Sequence, residues 1–562
     1  MKSKLFQLFT VAWLSCQADA QIRIEQTFSV GSSIPDRGQF MDVRTLTSTG
    51  LSSILDVDVS LSLSGATGTR MRLGDLYATL TYGTASEEER VSVLLNRAGA
   101  SNVTPWGSSL SSLNVTFDDS GIAPNIYGAT TGAGSYIADG RLSVNPFSSP
   151  AAYDSADVTA GLSALNGDLL ASNTWSLLVA DVRQGAQAKL DSWTLVLTGS
   201  AVESGQMNLG AGGRISDIAG SESNAVSATL LIGGTGHSGV TADVSQNLSL
   251  SGGLSGSGDL NKTGSGRLTL DSSSSGFSGR VVVFGGELKI LSAAALGSNG
   301  RVSLASDGAT LNLGNSVNLS NSITLGSAEE VARLDGGGNL SGNITGDGGL
   351  EKIGTGTMSL SGDSNYGGPT RVLGGALSID GTLSGNGDLF VAEGATLMGS
   401  GTINVSTLID GSHSVGNSPG LQTFTQGLSY SATSFLNWEF IGNDLGLRGV
   451  DYDAIDVTGG SLTIALGAVL NLLAGPTVDY SADPWKMNRS FTVIQFSGVG
   501  TSTGLFSLNT TMAGTSEDYG SWDIASEENH VVLKWIAVPE PGVMSLLGGM
   551  AAFLLLKRRR EA

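Results

Sequence analysis

Residues 254–270 and 344–360 are two copies of one stretch, 90 positions apart. Seven of their 17 positions are identical: four Gly pairs, two Leu pairs and the pair Lys262/Lys352. Each copy then reaches a Gly-Gly strand, Gly285-Gly286-Glu287-Leu288-Lys289-Ile290 or Gly374-Gly375-Ala376-Leu377-Ser378-Ile379. A segment that recurs in this way packs on its neighbours rather than on a distant core. Leu268-Thr269-Leu270 and Met358-Ser359-Leu360 alternate with the two-residue period of a strand with one buried face. The glycines permit tight corners. These features predict short strands stacked coil on coil, which need capping units at both ends. Gly is 81 of 562 residues and Pro 11. Together they stay below the roughly 25–30% of low-complexity disorder. A hydrophobic share of 40% suffices for a core.

Lys262 to Leu270 and Lys352 to Leu360 follow the pattern Lys-x-Gly-x-Gly-x-Leu-x-Leu or a close variant. This resembles the autotransporter-associated β-strand repeat, which implies a right-handed parallel β-helix for residues 201–430. Gly416-Asn417-Ser418-Pro419-Gly420 and Tyr452-Asp453-Ala454-Ile455-Asp456-Val457 are similar to segments found beyond such repeats. Residues 431–537 are therefore read as continued solenoid and capping strands. Leu462 to Leu473 extends the solenoid pattern, and 490–496 and 530–535 close it.

Residues 21–200 differ in composition and hold many distinct strands. Asp56-Val57-Asp58-Val59-Ser60-Leu61-Ser62-Leu63 places two Val and two Leu on one face. Gly74-Asp75-Leu76-Tyr77-Ala78-Thr79-Leu80, Asn173-Thr174-Trp175-Ser176-Leu177-Leu178-Val179-Ala180-Asp181 and Leu190-Asp191-Ser192-Trp193-Thr194-Leu195 come next in order. The order and spacing resemble the P/Homo B domain of proprotein convertases, which implies a jelly-roll-like β-sandwich. Glu87-Glu88-Glu89 stands where that family has a Pro-Gly turn. The fold class is thus all-β, with helix expected at the two chain ends alone.

Asp56, Asp58, Asp75, Asp118, Asp119 and Asp181 fall at strand ends of this block. Hard oxygen ligands at turns suit Ca²⁺, which some P domains bind. Asp also caps turns and keeps strand edges soluble, and the residue pattern leaves both readings open.

Both termini read as address labels. Lys2, Lys4 and the apolar run Leu5 to Leu14 precede Ala18-Asp19-Ala20, a secretory signal cut between Ala20 and Gln21. At the other end Val538-Pro539-Glu540-Pro541 precedes an apolar stretch to Leu556 and the cluster Lys557-Arg558-Arg559-Arg560. As a helix, residues 542–556 would cover about 23 Å, short of a bilayer core of about 30 Å. This order resembles the PEP-CTERM sorting signal. It implies processing by an exosortase near Pro539–Pro541, passage across the inner membrane of a Gram-negative-type bacterium, a transient C-terminal membrane segment, and delivery to a surface or exopolysaccharide matrix.

The net charge of −21 argues against nucleic acid as a partner. One cysteine, Cys16, excludes a disulfide framework, a thiolate zinc cluster and an iron–sulfur site. His237, His413 and His530 are far apart. Gly236-His237-Ser238-Gly239 and Gly514-Thr515-Ser516 echo subtilisin motifs only loosely, and His413 and His530 are expected on turns or strands without partners. Asp347, Glu351 and Lys352 read as ordinary turn chemistry rather than a glycan-cleaving constellation. The expected role is non-enzymatic, structural or adhesive, with no catalytic residue. The alternatives are an accessory module of a secreted subtilisin-like protease and a β-helix polysaccharide-cleaving enzyme.

Overall fold

A computed structural model describes residues 21–538 except 67–69, 102, 150–151, 153–156, 203, 219–223, 417, 498–503 and 515–517, and the side chains of 234–238. The described chain is almost wholly β, its helix reduced to short 3₁₀ turns such as Leu73–Asp75 and Asp483–Lys486. It divides into two compact units, residues 1–260 with 266–269, and residues 261–265 with 270–562. The composition changes earlier, near 201.

The first unit holds two antiparallel sheets. In one, Gln21–Ser33 pairs with Ala188–Ala201, which pairs with Leu51–Gly65, which pairs with Ser112–Phe117. Alternation sets its buried face: Val57, Val59, Leu61, Leu63, Leu195 and Leu197 are at most 1% exposed. The other sheet runs Gly38–Thr45, Thr174–Asp181, Leu76–Tyr82, Arg90–Asn96. Trp175, Leu177 and Val179 supply its buried face, with Trp175 stacked on Tyr82 at 4.3 Å between centroids. Residues 201–260 add parallel pairing. Gln206–Leu209 and Arg214–Ser216 both pair with Thr229–Asp243. Arg214–Ser216 also pairs antiparallel with Gln21–Ser33, so these residues belong with the first unit although their composition matches that of the solenoid.

The second unit is a parallel β-solenoid with three strands to a coil. Ile344–Gly346, Gly349–Lys352 and Thr357–Leu360 are succeeded one coil later by Ser364–Tyr366, Thr370–Val372 and Ala376–Ile379. Leu350 lies opposite Thr370, so a coil advances about 20 residues and the 90-residue sequence period spans several coils. One sheet runs unbroken over nine parallel strands from Asn318–Leu319 to Ser507–Asn509. Inward residues form columns along each wall. One reads Leu311, Leu334, Lys352, Val372, Val391, Ile409, Tyr430, Ile464. Another reads Met358, Leu377, Leu397, His413, Leu436, Leu470. Each coil thus buries apolar area against its two neighbours, as the repeat requires. Corners bring backbones too close for a side chain: Gly375 has φ +60°, and a Cβ there would sit 2.5 Å from the Gly356 carbonyl oxygen.

The winding ends in a different arrangement. Arg489–Phe496 pairs parallel with Ala454–Val457 but antiparallel with His530–Ala537, which pairs with Gly520–Glu527. Trp438, Phe440, Tyr452, Tyr480, Trp485, Phe491, Trp522 and Trp535 cluster there, with neighbouring centroids 5.0–6.3 Å apart. On the nine-stranded sheet an amide ladder climbs outward. Asn437 donates to Ser414, Asn471 to Asn437 and Asn509 to Asn471 (3.0, 2.9 and 2.9 Å). At the last rung, the Asn509 carbonyl oxygen accepts from the Thr511 amide and hydroxyl.

The expected C-terminal apolar helix, with Pro539, Glu540, Pro541 and Lys557 to Arg560, lies outside the described residues, as does Ala20. Among the described residues no helix is long and apolar enough to cross a membrane.

Candidate functional site

The six aspartates singled out from the sequence fall into two groups. Asp56, Asp58, Asp118 and Asp119 share one field. Burial, then the Asp56 and Asp118 charges, push Asp58 up to about 6, against the Arg23 guanidinium that donates to it at 3.0 Å. Asp56 is likewise raised, by burial and then by Asp118. Much of this group is already committed to the fold. Asp118 accepts from the Ser120 amide and hydroxyl, and Asp119 from the amides of Leu162 and Ala138.

Asp75 and Asp181 form the second group. Asp75 is 1% exposed and Asp181 0%. Both carboxylate oxygens of Asp75 and Oδ2 of Asp181 have no hydrogen-bond partner. Oδ1 of Asp181 accepts from the Arg183 amide at 3.3 Å. Burial raises Asp75, opposed by the charges of Arg183, Arg72 and Arg97. Burial, then Asp75 and Asp36, raise Asp181 to about 7. The backbone brings the pair together: Leu76 lies opposite Asp181, and the Val182 amide donates to the Asp75 carbonyl at 2.8 Å. Among the described residues, no three His, Cys, Asp or Glu side chains converge as a metal-binding group.

A carboxyl raised in the folded state binds its proton more tightly there than in the unfolded chain. Asp181 therefore contributes a stability that is full below about pH 4 and lost as pH rises through about 7. Asp181→Asn removes that slope. Its melting temperature relative to wild type should rise between pH 5 and pH 8; a constant difference across that range would refute the buried, unpaired carboxyl.

Beside this pair lies a groove of about 530 Å³ on the outer face of the four-stranded sheet. Leu178, Ala180, Val91 and Tyr77 line it, with Phe147 and Asp181. Glu87, which replaces the expected turn residues, is pinned by the Ser172 amide (2.9 Å) and hydroxyl.

One histidine departs from expectation. His413, expected without a partner, is fully buried in the solenoid and bonded at both ring nitrogens. Its Nδ1 lies 2.7 Å from the Tyr430 hydroxyl and its Nε2 2.7 Å from Gln422 Oε1. Gln422 in turn donates to the Met398 carbonyl. These three side chains come from three different walls of the coil and close a polar bridge across an otherwise apolar interior, with Phe424 edge-on to the His413 ring at 5.7 Å. Burial holds His413 down at about 4, so it is neutral at physiological pH. The His237 side chain and Ser516 lie outside the described residues.

Lys352 is likewise no turn residue. It occupies a core position, 1% exposed, between Leu334 and Val372. Its ammonium turns to the carbonyl oxygens of Ile353, Gly354 and Gly374. Lys262 does the same with Thr263, Gly264 and Gly285 at 2.8, 2.8 and 3.0 Å. Glu351 points outward, between Arg333 (3.4 Å) and Arg371 (3.8 Å). The motif lysine is therefore a corner clamp that satisfies carbonyls where the strand turns.

Residues 260–290 and 350–379 match the Passenger-associated-transport-repeat family. These are the two copies legible in the sequence, and both clamp lysines lie within them. The chain is also similar to an extracellular serine protease of Serratia marcescens, 33% identical over 135 residues. That stretch is 24% of this chain and 13% of the protease, so this chain matches a small part of its relative's length.

The other motifs join as well. The Asp453 carboxylate accepts from the Gly420 amide (2.9 Å) and the Glu439 amide (2.8 Å). It thereby ties the residues just ahead of the strand Ala454–Val457 to Gly420. Burial raises it to about 7.

Proposed function

We propose that this chain is an exported surface or matrix protein whose role is structural or adhesive rather than catalytic. The observation that carries the reading is the passenger-type solenoid: two matches to a repeat of transported passenger domains, set in a parallel stack whose lysines and histidine serve the core. Such a stack is stabilised coil by coil, which suits a long protein outside the cell.

In this reading residues 1–20 are a cleaved signal and residues 21–200 a β-sandwich of P/Homo B type. The two antiparallel sheets with Trp175 and Trp193 buried support that assignment. Residues 201–537 are solenoid with its closing strands, the first of its parallel strands, up to residue 260, grouping with the first unit. Residues 538–562 are a PEP-CTERM tail handled by an exosortase. Calcium belongs to the proposal at Asp75 and Asp181, where buried oxygens lack partners. In melting experiments at pH 8, millimolar calcium should stabilise wild type and leave Asp181→Asn unchanged.

The similarity to an extracellular serine protease favours a second reading, an accessory module of a secreted protease. One experiment separates these. Native host cells are fractionated into membrane, surface and medium, and the mature chain is mapped by peptide mass. A C-terminus near Pro539–Pro541 on surface or released protein is expected. Recovery of Leu546 to Arg560 on inner-membrane protein overturns the sorting reading. Co-purification with a subtilisin-like protease supports the second reading.

A further inference from the structure

The two antiparallel sheets of the first unit have four edges, and three of them are paired or broken. Gln21–Ser33 pairs outward with Arg214–Ser216, and its register shifts between Ser29 and Ser32. Ser112–Phe117 pairs with Ala133–Tyr136. Along Arg90–Asn96 the Val93 amide donates to the Ala160 carbonyl, and the amides of Asp139 and Gly140 donate to the carbonyls of Leu94 and Val93 (2.9–3.2 Å). The fourth edge, Gly38–Thr45, has no main-chain partner on its outer side among the described residues.

The open edge has a defined phase. The Leu46 amide donates to the Asn173 carbonyl at 3.0 Å, and Thr45 lies opposite Thr174. Bonding alternates along an antiparallel ladder. The backbones of Arg44, Asp42 and Phe40 therefore bond to Thr174–Asp181, while the amides and carbonyls of Thr45, Val43 and Met41 point off the sheet. The side chains of these last three face outward; Met41 is 50% and Val43 53% exposed. Natural edges are ordinarily blunted by Lys, Pro or a bulge. Gly38–Thr45 has none of these, and its register with Thr174–Asp181 is unbroken.

The strand's two charges lie on its other face. Asp42 accepts from Arg44 Nε at 2.8 Å and from the Trp193 indole N–H at 2.7 Å, and the Arg44 guanidinium carbon lies 5.1 Å from the Phe28 ring centroid. An inward charge at an edge normally repels an incoming strand. Here the two signs are opposite, on alternate residues either side of Val43. That pattern is complementary to itself when the strand is reversed. In a twofold antiparallel pair, open groups meet open groups only when the axis falls on a residue. An axis at Asp42 or at Arg44 sets like charge against like, which is destabilising. An axis at Met41 sets Asp42 against Phe40. An axis at Val43 sets Arg44 of each copy against Asp42 of the other, Met41 against Thr45, and Val43 against its own counterpart.

We propose that the Gly38–Thr45 edge joins a second copy of this chain, antiparallel and centred on Val43, so that two four-stranded sheets become one continuous sheet. Main-chain bonds hold the seam and the Asp42 and Arg44 charges set its register. The contact is isologous, so it closes at two chains. The seam is shorter than a standard interface, and a dissociation constant of about 1–100 µM is expected. The test is sedimentation of the full chain across that range, in which wild type should pass from monomer to dimer. Val43→Pro removes the reciprocal amide at the axis but no bond within the sheet. Val43→Lys keeps the backbone and puts like charges face to face. Each should weaken dimerisation at least about tenfold, with melting curves that overlay wild type. Cross-linking reads the register. Residues opposed at a hydrogen-bonded pair have Cα atoms about 5.5 Å apart, within reach of a disulfide. Cys16 is the chain's only cysteine. In a Cys16→Ser background, Val43→Cys should oxidise to a covalent dimer and Met41→Cys should not. A chain that stays monomeric to about 100 µM, dimerisation untouched by both Val43→Pro and Val43→Lys, or equal cross-linking at 41 and 43 overturns the seam. A monomeric chain that binds a synthetic Val-Thr repeat peptide, and loses it in Val43→Pro, overturns the second copy as the occupant of this edge.

Discussion

Replacing Trp485 by alanine should unravel the closing end of the solenoid before the rest. Trp485 is fully buried and meets Phe440, Tyr480, Phe491, Trp522 and Trp535 at 5.0–6.2 Å between centroids. Its indole N–H donates to Asn443 at 3.0 Å, and its carbonyl accepts from Trp535 at 2.7 Å. Deleting a buried tryptophan costs about 3–5 kcal/mol through lost burial and the cavity left behind. The loss is local because each coil leans on its neighbours. Hydrogen exchange should therefore rise first in 489–496, 520–527 and 530–537, then in the coils behind them. Uniform acceleration throughout the second unit would show that the unit unfolds in one step and that the cluster is not a separate closure.

The second large effect is expected at the clamp lysines. Lys262→Met keeps the length and most of the volume of the side chain but leaves three carbonyls without their donor. Swapping a buried charge for an apolar group is often neutral when its partners leave with it. Here the acceptors are backbone and remain, so the unmet hydrogen bonds outweigh the relief of desolvation. Water can reach the outermost of them, at the exposed Gly264, which limits the cost to about 2 kcal/mol. Lys352→Met should act likewise and nearly additively, since 90 residues and several coils separate the two. Denaturant titration of the single and double variants checks both points. Unchanged midpoints would mean that the lysines are passengers of the motif rather than its clamp.

Much of this architecture was legible because apolar periodicity is written locally. Leu268-Thr269-Leu270 or Val57 to Leu63 need no partner to announce which face is buried. What was hidden depends on register between coils. His413 lies in a short strand like any other until Gln422 and Tyr430 arrive from the other two walls. Lys352 resembles turn chemistry in the sequence because nothing in the order of residues says that Leu334 and Val372 flank it. The aspartates were visible one by one, yet their division is set by strand pairing: Asp75 and Asp181 are 106 positions apart and meet across one ladder.

The amide ladder on the nine-stranded sheet carries a consequence for self-association. Parallel coils are in principle an open-ended polymer, since each rung offers the next chain the template it offered its own. Stacked asparagines add to that tendency, as they do in amyloid. Thr511 spends both its donors on the Asn509 carbonyl oxygen, and antiparallel strands cross the adjoining wall. The terminal rung is thus quenched from within, and the chain can use the stability of a filament while remaining a particle of fixed length.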